Sequence, residues 1–130
     1  MRFHVLGVPH TITHPEWSGC AFTQKVAKFL KMMSARGHTL IHYGHADSQV
    51  PQNVEHVTVT NNALFTHVYG TEYTEQQAWK TKGFSHYYDV NDQVHRIYWN
   101  NAIDEIEKRK QPNDFILHFW GVGTKPVADA

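Results

Sequence analysis

The chain has 130 residues, 41% of them hydrophobic and 13% aromatic, which suits one packed domain and argues against a disordered segment or a two-domain enzyme. Twelve basic side chains balance twelve acidic ones, so no overall field recruits nucleic acid or an anionic membrane. Cys20 is the single cysteine, the N-terminus has no basic-then-apolar signal pattern, and no apolar run nears a membrane span; a soluble cytoplasmic protein is expected.

The first strand is predicted over Arg2–Val8 and a helix over about Cys20–Arg36, followed by a second strand over Thr39–Tyr43. In the helix, Phe22, Val26, Phe29, Leu30 and Met33 fall on one apolar stripe. Ser18 or Gly19 can cap its start, and Gly37 stands where a left-handed C-terminal cap is wanted. The polar stretch from Ala46 to Val54 reads as a loop, and Glu55–Thr60 alternates like a third strand.

Leu64–Tyr69 is compatible with strand or helix. Thr74–Lys82 reads as a short helix with Trp79 inward, and Phe84, Tyr87 and Tyr88 as cover for a core edge. A long helix then runs to about Lys110, capped by Asn91 or Asp92. Its inward stripe is Val94, Ile97, Tyr98, Ala102, Ile103 and Ile106, and the charged run from Asp104 to Arg109 faces solvent. After a turn at Pro112–Asp114, Phe115–Trp120 is nearly all apolar, as in a parallel strand buried on both faces. Gly121–Pro126 reads as a loop and Val127–Ala130 as the first turn of a helix too short to cover the last strand.

Strands alternating with helices predict an α/β, Rossmann-like three-layer domain. Its mostly parallel sheet has the order 3-2-1-4, with right-handed crossovers. The switch point then lies between the first and fourth strands, where the loops Pro9–Gly19 and Gly121–Lys125 meet at the carboxyl edge. Ligands in such folds bind there.

In those loops His10 and His14 are candidate general bases, with Trp17 and Trp120 a stacking wall for a sugar or base. Gly121-x-Gly123 with Thr124-Lys125 would bring backbone and a cation to a phosphate or sugar, although it is neither a Walker sequence nor a dinucleotide fingerprint. His42 and His45 form an H-x-x-H pair lacking a third ligand, so no metal site is expected. His118 reads as a core histidine, and Trp79 and Trp99 as core. Cys20 at a helix start would need an imidazole partner to act as a nucleophile.

Three stretches, THPEWSGCAFTQKV, RGHTLIHYGH and FWGVGTKPVADA, make the chain resemble the N-terminal half of a group-one, GT-B-type glycosyltransferase. The resemblance covers nearly the whole chain and is weakest from Ala46 to Asp89. It implies one acceptor-side domain over residues 1–130, half of a GT-B architecture, shortened at its C-terminal end and without the donor-binding domain. It places Thr11, Trp17, Ser18, Gly19, Tyr43, His45, Trp120, Gly121, Gly123 and Lys125 on a substrate cleft. His10 or His14 would lie near the acceptor hydroxyl and Lys125 near the leaving phosphate. A nucleotide-sugar donor is expected only for the complete enzyme, with the other wall supplied by a missing domain or a complementary chain. The alternative is a non-catalytic sugar- or nucleotide-binding module, or one that self-associates through exposed sheet surface.

Overall fold

The computed structural model describes residues 1–70 and 91–130; the expected Thr74–Lys82 helix, Trp79, Phe84, Tyr87 and Tyr88 lie outside them. Four strands, β1 (Arg2–Leu6), β2 (Thr39–His45), β3 (Glu55–Thr60) and β4 (Phe115–His118), form one sheet in the order β3-β2-β1-β4. Every pairing is parallel. The helices are α1 (Ala21–Ala35), α2 (Asn62–Tyr69), α3 (Gln93–Arg109) and α4 (Gly121–Asp129). The expected Rossmann-like α/β layering and strand order are therefore present. Among the described residues no helix is long and apolar enough to cross a membrane.

The pleat assigns the two faces. Phe3, Val5 and Leu40 pack with Val26 and Leu30 of α1. Leu6, Ile41, Tyr43, Val57 and Val59 face the other way, against Tyr98, Ala102 and Ile106 of α3. In α1 the inward row is Thr23, Val26 and Leu30, whereas Phe22 is 41% exposed and leaves the expected stripe. A buried hydroxyl replaces the ring because Thr23 Oγ1 bonds Thr11 Oγ1 at 2.6 Å and so joins α1 to the first loop.

Cys20 occupies the N-cap of α1 without a side-chain capping bond, its sulfur instead accepting from Thr23 Oγ1 at 3.1 Å, and Ser18 closes the preceding 3-10 turn, Pro15–Trp17. Gly37 takes φ +83° past the end of α1, as expected of a left-handed cap. Asp92, not Asn91, caps α3, and Asn61 caps α2, which settles Leu64–Tyr69 as helix.

The last third departs most from the sequence pattern. β1 stops at Leu6, before Pro9 removes a donor, while β2 runs on to His45. β4 ends at His118 and is the edge of the sheet. It is not buried on both faces: Phe115 is 47% and Ile116 40% exposed. Gly121–Pro126 is not a loop, because α4 begins at Gly121 and contains Pro126. Thr124 and Val127 are buried, and Thr124 Oγ1 donates to the Trp120 carbonyl at 3.0 Å and pairs with His118 Nδ1 at 2.7 Å. These contacts select the helix over the weak local propensity of two glycines and a proline.

Gly44 is required by its neighbour. A Cβ there would stand 2.6 Å from His42 Cε1, and the ring is held by bonds to Thr13 and His56, at 3.0 and 2.9 Å. Gly44→Ala is expected to cost about 1–3 kcal/mol by overpacking, read from urea unfolding midpoints. A cost below about 0.5 kcal/mol would mean that the ring is free to move.

Candidate functional site at the carboxyl edge of the sheet

The first loop is braced rather than open. Thr11 is buried, its N–H bonded to the Val8 carbonyl and its hydroxyl shared with Thr23. His14 Nδ1 accepts from the Glu16 N–H at 3.1 Å, which starts the 3-10 turn. Trp17 is 2% exposed and packs with Cys20 and Ile12. It therefore supports the loop from beneath, while Ser18 and Gly19 are exposed.

His10 faces the switch point. Its ring stacks on His95, with centroids 5.5 Å apart and planes 28° apart, and meets the Trp120 edge at 5.1 Å. His95 stands in the first turn of α3. Asp92 Oδ1 accepts from the His95 N–H at 2.9 Å and bonds its Nδ1 at 2.8 Å, and Asp92 Oδ2 accepts from Tyr69 Oη at 2.6 Å. The ends of β1 and β4, the end of α2 and the start of α3 thus meet in one cluster.

Electrostatics follow from burial. Desolvation, followed by repulsion from His95 and partly offset by Asp92, lowers the His10 pKa to about 3, so its imidazole is neutral at pH 7. Burial alone would raise the Asp92 carboxyl, but hydrogen bonds from His95 and Tyr69 outweigh it and hold the group below its ordinary value. The cluster therefore holds a carboxylate oriented on an imidazole beside a second, neutral imidazole. An oriented carboxylate stabilises an imidazolium, which is what a proton-accepting pair needs.

Sequence reading missed this pair. The signal was present as Asp92-x-x-His95, a helix cap whose carboxylate also reaches a ring one turn on, but capping alone accounted for the aspartate.

The other expected residues scatter. Tyr43 is in the core, with its hydroxyl 2.7 Å from His4 Nδ1 and its carbonyl accepting from Tyr98 Oη at 2.7 Å. His45 is buried against Phe65, centroids 4.7 Å apart, and its Nδ1 accepts from the Asp47 N–H. Gly121 opens α4 at the surface, Gly123 lies within that helix, and exposed Lys125 is paired with Asp129. His14 turns away from His10, to the α1 side of the loop.

His42 is fully buried beneath the loop, between Thr13 Oγ1 and His56 Nδ1, and desolvation followed by His56 lowers its pKa to about 3. Among the described residues no three His, Cys, Asp or Glu side chains are grouped to hold a metal ion. No family model, curated protein or solved structure matches the chain.

Proposed function

We propose that this chain is the acceptor-side wall of a glycosyltransferase crevice, one that moves a sugar from a nucleotide-sugar donor to a hydroxyl acceptor. The observation that carries the reading is the Asp92–His95 pair stacked under His10 and Trp120 at the β1/β4 switch point. A half-buried indole suits the apolar face of a sugar ring, and a neutral imidazole suits its hydroxyls. In the step, the acceptor oxygen bonds the anomeric carbon as that carbon's bond to the nucleotide phosphate breaks. The hydroxyl proton passes to His95, where the bonded Asp92 carboxylate stabilises the resulting charge, while neutral His10 orients the hydroxyl. The donor wall and the nucleotide sugar come from a further domain or a complementary chain.

A second reading, a non-catalytic sugar-binding module, is favoured by the burial of both His10 and His95. Titration with methyl hexosides tests what the two readings share. The Trp120 indole and His10 ring resonances are expected to move at about 1–50 mM sugar, and Trp120→Ala to abolish binding. Shifts confined to other residues would overturn both.

Once the crevice is completed by a donor-binding domain, transfer separates them. Asparagine caps a helix as well as aspartate does. Asp92→Asn should therefore keep α3 while lowering the transfer rate by about 10²–10³-fold. An unchanged rate leaves only the binding module.

A further inference from the structure

We propose a second small-molecule site, separate from the switch-point crevice: a groove on the α1 face that takes a phosphate- or carboxylate-bearing ligand with a polar tail. The groove, open to solvent, has a volume of about 440 Å³ between the first loop, α1 and the β2–β3 loop. That volume lies in the range of small-ligand sites.

Its three walls are tied together. The Gln49 N–H donates to the Thr13 carbonyl at 2.8 Å, joining the two loops. Gln24 Nε2 donates to the carbonyls of His14 and Trp17, at 3.2 and 3.0 Å, joining α1 to the first loop. The cleft is therefore already shaped before a ligand arrives.

The lining defines the ligand. Ala27, Val50 and Pro51 give an apolar floor, and among the described residues no carboxylate lines the groove. Lys31 stands at one end and makes no ion pair among the described residues. Gln24, Ala27 and Lys31 lie on one stripe of α1, about 10 Å long at 1.5 Å per residue. At the other end His14 uses Nδ1 as an acceptor, which leaves the proton of its neutral ring on Nε2 as a donor.

The whole helix agrees in sign. α1 carries Lys25, Lys28 and Lys31 and no acidic residue, although the chain as a whole is neutral. An anionic head on Lys31, a compact body over the floor and a hydroxyl at His14 satisfy every group. A phosphorylated sugar has that chemistry, and so does a hydroxylated carboxylic acid.

Amide chemical-shift titration of the whole chain tests this, with ribose 5-phosphate, ribose, inorganic phosphate and 4-hydroxybutyrate as probes. Ribose 5-phosphate is expected to move Gln24, Ala27, Lys31 and Gln49 below about 5 mM, with ribose inert and inorganic phosphate weaker. The same shifts with 4-hydroxybutyrate in place of the phosphate ester would assign the head as a carboxylate. Lys31→Gln, at an exposed position, should weaken binding at least about tenfold. Lys25 provides the control, because its ammonium lies 5.5 Å from the Phe22 ring centroid; Lys25→Gln should change affinity less than about twofold. The proposal is overturned if neither anion moves the groove, or if the two lysine variants weaken binding equally.

Discussion

Lowering the pH from 7 to about 4 is expected to remove most of the stability of this chain, with the loss beginning before its carboxylates titrate. The cause is buried histidine. His10 and His42 are at most 4% exposed and have pKa values of about 3, against 6.5 for the unfolded chain. Between those values the unfolded chain binds more protons than the folded one, so stability rises with pH across the window. It is complete above pH 6.5, falls as pH drops below that, and levels off below about 3.

Each group costs roughly 1.4 kcal/mol per pH unit within the window, or about 3 kcal/mol each at pH 4. Two such groups remove about 6–7 kcal/mol from a domain whose total stability is of order 5–15 kcal/mol. His45, His56 and His118 are also lowered by burial and act in the same direction.

Far-UV circular dichroism against pH should therefore show a cooperative loss centred between about pH 4 and 5.5. Urea unfolding at several pH values should show each of His10→Gln and His42→Gln removing about one proton from the slope. A thermal unfolding transition at pH 4 as cooperative and as high as at pH 7 would refute the account.

The same histidines show how much was legible in the sequence. Strand alternation and the α1 and α3 stripes predicted the layers and the order 3-2-1-4, because periodicity reports which face each element buries. They also brought the first loop to Trp120, since a switch point follows from strand order alone.

What failed depended on contacts between distant residues. His10 and His14 are equivalent in sequence, but the 3-10 turn at Pro15–Trp17 puts His14 on the α1 side of the loop while His10 reaches His95. The resemblance places Tyr43 on the cleft, yet the pleat turns it onto the α3 face with Ile41. The Gly121–Pro126 stretch lacked local helix propensity, and its helix depends on the burial of Thr124 and Val127. Local signals located the β1/β4 switch point. The contacts within it depend on Asp92 and His95, which periodicity treated as a cap and a helix position.

At the opposite end of the sheet, Asp114→Ala is expected to destabilise the fold by about 3–5 kcal/mol. Asp114 Oδ2 accepts from Arg2 Nε at 3.1 Å, from His4 Nε2 at 2.7 Å and from the Gln111 N–H at 2.9 Å. His4 Nδ1 in turn bonds the Tyr43 hydroxyl at 2.7 Å, and both rings are fully buried. A neutral His4 with its proton on Nε2 satisfies the whole chain: Tyr43 donates to Nδ1, and Nε2 donates to the carboxylate. Burial alone would raise the Asp114 carboxyl, but the bonds from His4, Gln111 and Arg2 hold it below its ordinary value.

Removing the carboxylate leaves the His4 N–H enclosed without an acceptor, and that unpaired donor carries most of the cost. Arg2 is less exposed to the change, because its Nη2 also donates to the Arg109 carbonyl at 2.8 Å. Replacing both buried partners removes the donor together with its acceptor, so His4→Leu combined with Asp114→Leu should cost less than the sum of the single changes. A coupling of about 1–3 kcal/mol in a double-mutant cycle is expected from urea unfolding at pH 7. Strict additivity would mean that the pair contributes only packing, and that β4 is held to β1 by its ladder alone.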